Sequence, residues 1–248
     1  MKDDTPMTLA KLGIFPHICG NNHIFMGNSL FKRYIVATLG LVIVAFGVAL
    51  SLKSNLGTAP VSCPPAVLNL KYTGISVGTF TWMMHLVLIL TQVAMLGRKF
   101  KLSFLMQIPA AFVFGYLCDA GIWLLKDVQV TSYAMQMLLC ILTVIVTAIG
   151  VRMEIAGNAW MLAGEKTAVV VSEVTGARFS NVKIFFDVYL VALSALFAQL
   201  AFGVFSGDGV NIVIREGTLI LAIFTGLCMK VTDPWVDKCL DKVFNFKV

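Results

Sequence analysis

"LGTAPVSCPPAVLNL", residues 56–70, is the stretch on which the topology of this chain turns. It leans apolar, yet it carries Pro60, Pro64 and Pro65 and falls short of the roughly 20 residues that a bilayer-crossing helix needs. Proline removes a backbone donor and breaks a helix interior. The segment therefore reads as a re-entrant or broken helix, a form tolerated at membrane depth only where protein or a water-filled cavity shields the backbone. Its counterpart later in the chain is "NAWMLAGEKTAVVVSEVTG", residues 158–176, where Gly164 permits close backbone approach. Read as full spans, the two segments would carry the basic run "RKFK", residues 98–101, to the outer side. Read as re-entrant, they leave it inside, where basic residues collect.

Working outward, the composition is that of a membrane protein. Of 248 residues 58% are hydrophobic and 13% charged, about half the charged share of a soluble domain. The mean hydropathy is +0.88. Long apolar runs are expected to span the bilayer at 34–52, 75–97, 102–125, 133–155, 182–205 and 210–230. They leave no room for a soluble catalytic domain. The net charge of +6 is not a nucleic-acid signal, because the basic residues sort by side. Only Lys53, Lys71, Lys126 and Arg215 fall outside, so both termini are expected in the cytoplasm.

The chain also reads as two halves. "AFGVALSLKSN" (45–55) lies over "AIGVRMEIAGN" (148–158) at an interval of 103 residues. Shifted by one, "TGISVGTFTWMMH" (73–85) lies over "TGARFSNVKIFFD" (175–187). Each half has three crossings and one short segment. An odd number of crossings turns the second half over. The expected fold is an all-α integral membrane protein, with six transmembrane helices arranged as two inverted three-helix repeats, each holding a re-entrant or broken helix. The expected domains are a cytoplasmic tail (1–31), repeat 1 (32–126), repeat 2 (127–232) and a cytoplasmic amphipathic segment (233–248).

Ionisable residues inside such a chain need a reason, since one charge at mid-bilayer costs about 2.5–3.5 kcal/mol even on the mildest scale. Lys183 and Asp187 in "NVKIFFDVYL" share one helix face. They read either as a structural ion pair or as the lining of a polar cavity. Glu165, in "AGEKTAVVV", reads as a carboxylate for an amine or a proton, or as the mark of a cytoplasmic loop. Arg215 and Glu216 read as an interfacial pair at a helix start, or as an outer gate with a planar guanidinium for anions. His85 is the one histidine inside a span and the repeat partner of Asp187. It reads as a packing residue or a proton carrier. Asp119, toward the outer end of the third span, reads as reaching the interface, and Gln107 with Pro109 as a polar, bent point that is structural or pore-lining. The helix breaks are assigned to Pro60, Pro64, Pro65 and Gly164.

Six cysteines without paired spacing argue against a disulfide framework or a metal site. "HICGNNH" near the start reads as tail rather than metal centre, and no enzyme motif stands in a suitable context. No cofactor is expected.

The pieces "LGTAP" (56–60), "SVGTFT" (76–81), "QIPAAFVFGYLCD" (107–119), "GE" (164–165), "VKIFFD" (182–187) and "REGT" (215–218), in that order, carry a resemblance. Over about residues 36–232 the chain resembles the YitT/YczE family of bacterial integral membrane proteins, in particular a branch of members slightly shorter than this one. The resemblance implies a bacterial cytoplasmic-membrane protein of the kind suspected of transport, with no agreed substrate. It places Glu165, Lys183, Asp187, Arg215, Glu216, Gln107 and Asp119 on the family's polar motifs. Where relatives often read Pro-Gly-Glu-Gly, this chain has Ala163-Gly164-Glu165-Lys166, so the local bend and charge differ. The expected function is secondary transport of a small polar metabolite or ion, with the lipid bilayer as surroundings and no nucleic-acid partner. A homo-oligomer stays open. The alternatives are a membrane scaffold or sensor, and a substrate-binding subunit that needs an energy module.

Overall fold

The structure is a computed structural model that describes residues 30–97, 100, 102–157, 159–177, 179–207 and 213–244. The tail before residue 30, most of the "RKFK" run, residues 210–212 of the sixth expected span and residues 245–248 lie outside the described residues.

Among the described residues there is no strand. The order is α1 (Leu30–Ser54), a 3-10 turn (Pro60–Ser62), α2 (Cys63–Lys71), α3 (Val77–Leu96), a second 3-10 stretch (Leu102–Met106), α4 (Gln107–Leu124), α5 (Tyr133–Gly157), α6 (Ala163–Thr175), α7 (Phe179–Phe202) and α8 (Glu216–Phe244). Helix is what an apolar chain must form in lipid, where each backbone donor and acceptor has to be satisfied internally. Five helices are long and apolar enough to cross a bilayer, and α8 makes a sixth if its two bent parts are one span. Their outward faces stay greasy: Phe185 is 77% exposed and Leu200 76%. This architecture is compatible with a multi-pass membrane protein.

The bend in α8 is 53°, between Met229 and Val231. Pro234 lies inside this helix. Its ring takes the room of the carbonyl four residues back and supplies no N–H to it, which accounts for a bend at residue 230. The part beyond the bend is therefore helix laid across the bundle end, with Val236 and Leu240 packed on Val36, Met153 and Ala156.

At the centre α1 and α5 run antiparallel. Arg33 Nε donates to Gly157 O at 3.1 Å, Gly40 faces Gly150, Gly47 faces Thr147, and Leu56 packs on Cys140 and Val144. Rising numbers on one helix thus meet falling numbers on the other. The approach is backbone to backbone. A Cβ on Gly40 would stand 2.7 Å from Gly150 O, and one on Gly150 would stand 2.9 Å from Gly40 O. Around this pair α4 packs on α1 and α3, α8 on α5, α3 on α6, and α2 on α7.

Both bounds of α5 fall 103 residues after those of α1, and each helix has 25 residues. The turn opened by Pro60 and the helix opened by Ala163 keep the same interval. Even the preceding backbone agrees, with Ala59 at φ −59°, ψ 144° and Leu162 at φ −59°, ψ 147°. Pro60, Pro64 and Pro65 do not interrupt a helix; they occupy its first turns, where missing N–H groups cost nothing. Gly164 likewise sits in the first turn of α6, packed on Val61.

Between Ser54 and Pro60 the chain turns sharply, with Gly57 at φ +107°, a conformation that suits glycine. Leu56 O accepts from Gly217 N at 2.8 Å, and Thr58 N donates to Val213 O at 3.1 Å, so this turn is docked on the start of α8. The bundle has two ends. Arg33 and Gly157 mark one. At the other, Lys53 Nζ donates to Lys126 O at 3.0 Å, Lys71 Nζ to Ala201 O at 3.3 Å and Arg215 Nη1 to Asn55 O at 3.2 Å. The four basic residues assigned above to one side of the membrane share this second, Lys53 end.

Overpacking the glycine seam should destabilise the bundle. Gly150→Leu is expected to cost at least about 1–3 kcal/mol, read as a lower midpoint of thermal unfolding in detergent. Gly226→Ala, where an added Cβ meets nothing within 4 Å, should leave the midpoint unchanged or slightly raised.

Candidate functional site

The second short segment builds the site. From the end of α5 the chain runs to Leu162, which is buried among Leu41, Val44, Phe114 and Val151. These belong to the middle stretches of α1, α4 and α5, so the chain reaches the bundle interior before α6 starts. Thirteen residues then give α6 a length of about 20 Å, too short for a bilayer core of about 30 Å. Leu162 caps α6 without a side-chain hydrogen bond. The first turn of this helix brings its amides toward the interior, with the Glu165 carboxyl beside its own backbone N–H.

A pair of glutamines holds that end in place. Gln92 Nε2 donates to Gln107 Oε1 at 3.2 Å, and Gln107 Nε2 returns a bond to Gln92 Oε1 at 3.0 Å. Gln92 Nε2 also reaches Thr167 Oγ1 at 2.9 Å and Ala163 O at 3.3 Å, while Gln107 Nε2 donates to Phe104 O at 3.0 Å. Both amides are buried. One network therefore ties α3, α4 and the first turn of α6 together. Left unpaired in this setting, each amide group would cost several kcal/mol.

Ionisable groups gather beside it. Lys183 Nζ donates to Asp187 Oδ1 at 2.8 Å, with Asp187 buried and Lys183 partly covered. Glu165, half-buried on the first turn of α6, is close enough to feel the charge of both. Glu154, near the end of α5, feels Glu165 in turn and is 0% exposed. Neither of its carboxyl oxygens has a hydrogen-bond partner. The amide of Leu162 faces Glu154 without meeting hydrogen-bond geometry. The result is one acid–base cluster on α5, α6 and α7 at the mouth of α6. No group of three or more metal-ligating side chains occurs among the described residues.

The remaining predicted residues lie elsewhere. His85 is buried in α3 with its ring edge-on to Phe114, centroids 5.6 Å apart, and neither nitrogen partnered. Asp119 caps α3 by accepting from Gly78 N at 2.7 Å and from Ser76 Oγ, which ties α4 to α3 at the Lys53 end. Arg215 and Glu216 form a two-pronged pair at 2.8 and 3.2 Å, and Arg215 also holds the Asn55 carbonyl. Their geometry is that of a clasp on the 55–58 turn. Thus Glu165, Lys183, Asp187 and Gln107 are brought together, while His85, Asp119, Arg215 and Glu216 are not.

Several polar groups escaped the sequence reading. Gln92, a single amide in an apolar run, and Glu154, inside a span, are not among the predicted site residues. The interval of 103 residues between Glu154 and the buried Ser51 is the signal that could have flagged it. Ser51 bonds Thr58 Oγ1 at 2.9 Å beside a cavity of about 140 Å³ at the Lys53 end, lined also by Asn55, Gly57 and Asn69. At the Arg33 end, Arg152 grips Asp237 beyond the α8 bend at 2.9 and 2.7 Å.

Residues 31–234 match the model of a family of unknown function, DUF6198. The chain belongs to this family. The matched region runs from the start of α1 to Pro234, and so holds the whole acid–base cluster. No curated protein matches the chain, and no solved structure does.

Removing one partner of a buried ion pair strands the other. Asp187→Ala is expected to destabilise the protein by up to about 3 kcal/mol, because Lys183 then lacks its counter-charge. The double change Lys183→Met with Asp187→Leu should recover most of that loss. Thermal unfolding of the three variants in one detergent checks the order.

Proposed function

We propose that this member of the DUF6198 family is a secondary transporter of a small polar metabolite or ion, built as two inverted three-helix repeats. The observation that carries the reading is the acid–base cluster of Glu154, Glu165, Lys183 and Asp187 at the inner end of a helix too short to span. Ionisable groups buried in a membrane protein mark substrate or ion pathways more often than they mark scaffolding. Short helices whose ends meet inside the bundle are a recurrent site design among transporters with inverted repeats.

The inverted-repeat reading has support of its own. The helix bounds recur at intervals of 103 residues, and the pair α1–α5 is antiparallel. The contact of Gly47 with Thr147, moved by that interval, becomes the contact of Val44 with Gly150, and both occur. The packings of α3 on α6 and of α7 on α2 are likewise exchanged by the same operation, as are those of α4 on α1 and α8 on α5. The resemblance to the YitT/YczE proteins points the same way.

In this reading the protein lies in the bacterial cytoplasmic membrane with the Arg33 end and both termini inside, since the basic residues favour that orientation. The cavity beside Ser51 opens at the Lys53 end. At the Arg33 end, Trp160 stands 103 residues beyond Gly57, edge-on to Tyr34 at 5.1 Å. A bulky indole where the other half has glycine favours a state open outward and closed inward. Transport then consists of the two halves exchanging these arrangements.

Purified protein in liposomes, assayed with a panel of radiolabelled amino acids, carboxylates and inorganic ions, tests this. Saturable uptake of one class that falls at least about tenfold in Asp187→Asn, a loss of about 1.4 kcal/mol, supports it. No uptake by a folded protein across the panel overturns it and favours a subunit or sensor.

A further inference from the structure

Glu154 is the least explained group in the molecule. It is fully buried and neither carboxyl oxygen has a hydrogen-bond partner. Cations on α5 and on the helices around it have partners of their own. Arg152, two residues before it, is held by Asp237, with Asp233 at 4.0 Å. Arg33 on α1 donates its Nε to Gly157 O, Lys183 on α7 is bonded to Asp187, and Lys166 on α6 stands 4.4 Å over the Phe104 ring. Across from Glu154, α1 presents Gly40, which carries no side chain, and α6 presents Glu165.

An ionised carboxylate offers only acceptors, and here it would be buried without a hydrogen-bond donor and within reach of the charge of Glu165. Magnesium and calcium take six or more oxygen ligands and zinc takes four, and no group of three or more ligating side chains is placed to hold a metal among the described residues. The group that fits a lone buried carboxyl is the proton. We infer that Glu154 is a reversible proton-binding site.

The geometry supplies both the release and its consequence. On release, the Glu154 O–H bond breaks, the electron pair stays on the carboxylate and the proton passes to Glu165 or to water beside it. The new carboxylate lies toward the Leu162 amide at the start of α6, whose positive dipole end attracts it. Rebinding a proton removes that pull. The first turn of α6 is held against this pull by Gln92, through Thr167 and Ala163 O. Proton occupancy at Glu154 is thereby linked to the position of the re-entrant helix. This deepens the transport reading, on which it rests for the meaning of the proton.

The test is pH-difference infrared spectroscopy of the full chain in lipid, wild type against Glu154→Gln. The amide keeps the shape of the protonated acid, so the variant is expected to fold, and its melting curve checks that. Wild type should show a protonated-carboxyl band that disappears between about pH 5 and about pH 9, a range that covers buried carboxyls, and that is missing from the variant. A variant-sensitive band that is constant over this range would mean a permanently neutral structural acid. No variant-sensitive band at any pH would mean a group that stays ionised. Either result overturns the proposal. The band reads the proton directly, so a titrating Glu154 without solute flux would refute transport and leave proton binding standing.

Discussion

The close approach of α1 and α5 at Gly40 and Gly150 is the contact on which the other features depend. In lipid there is no hydrophobic force to press helices together, and association rests on packing and on polar contacts. Glycine lets two backbones touch, so many weak dispersion contacts are made at once. Because the two helices touch along their length and run in opposite directions, each end of the bundle receives one helix terminus and one short segment folded back from it. Leu56 follows one terminus into the interior and Leu162 follows the other.

That arrangement explains where the polar groups lie. The start of α6 is pushed into the bundle, beside the buried Leu162 and Ala163. The protein surrounds it with what satisfies backbone and charge in oil: the glutamine pair on α3 and α4, the Lys183–Asp187 bridge on α7, and two further acids. The Lys53 end is handled differently. There the folded-back turn is held by backbone bonds to Val213 and Gly217 and by the Arg215 clasp, and Ser51 and Thr58 border open space.

The helices were legible in advance for a simple reason. A run of about 20 apolar residues has one stable fate in lipid, and the expected spans and the observed helices agree to within a few residues at most ends. The departures have local causes. The third expected span begins as a 3-10 stretch and becomes α-helix at Gln107. The sixth continues past its expected end, because Pro234 bends α8 without stopping it. The prolines at 60, 64 and 65, read as breaks, open a helix instead, since proline is harmless in a first turn.

The site was legible only in part. Residue type alone marked Glu165, Lys183, Asp187 and Gln107, because ionisable or amide groups in an apolar chain stand out, but it marked Arg215, Asp119 and His85 equally. The sequence by itself determined that the chain is helical, apolar enough for a membrane, and interrupted at two matching places; these follow from local composition and backbone chemistry. Tertiary structure alone decided which polar groups meet. Asp119 spends its carboxylate on a neighbouring helix start, while Glu154 is left without a donor. Whether a buried carboxyl is satisfied depends on the distance to groups far away in the chain, and spacing along one helix does not encode that distance.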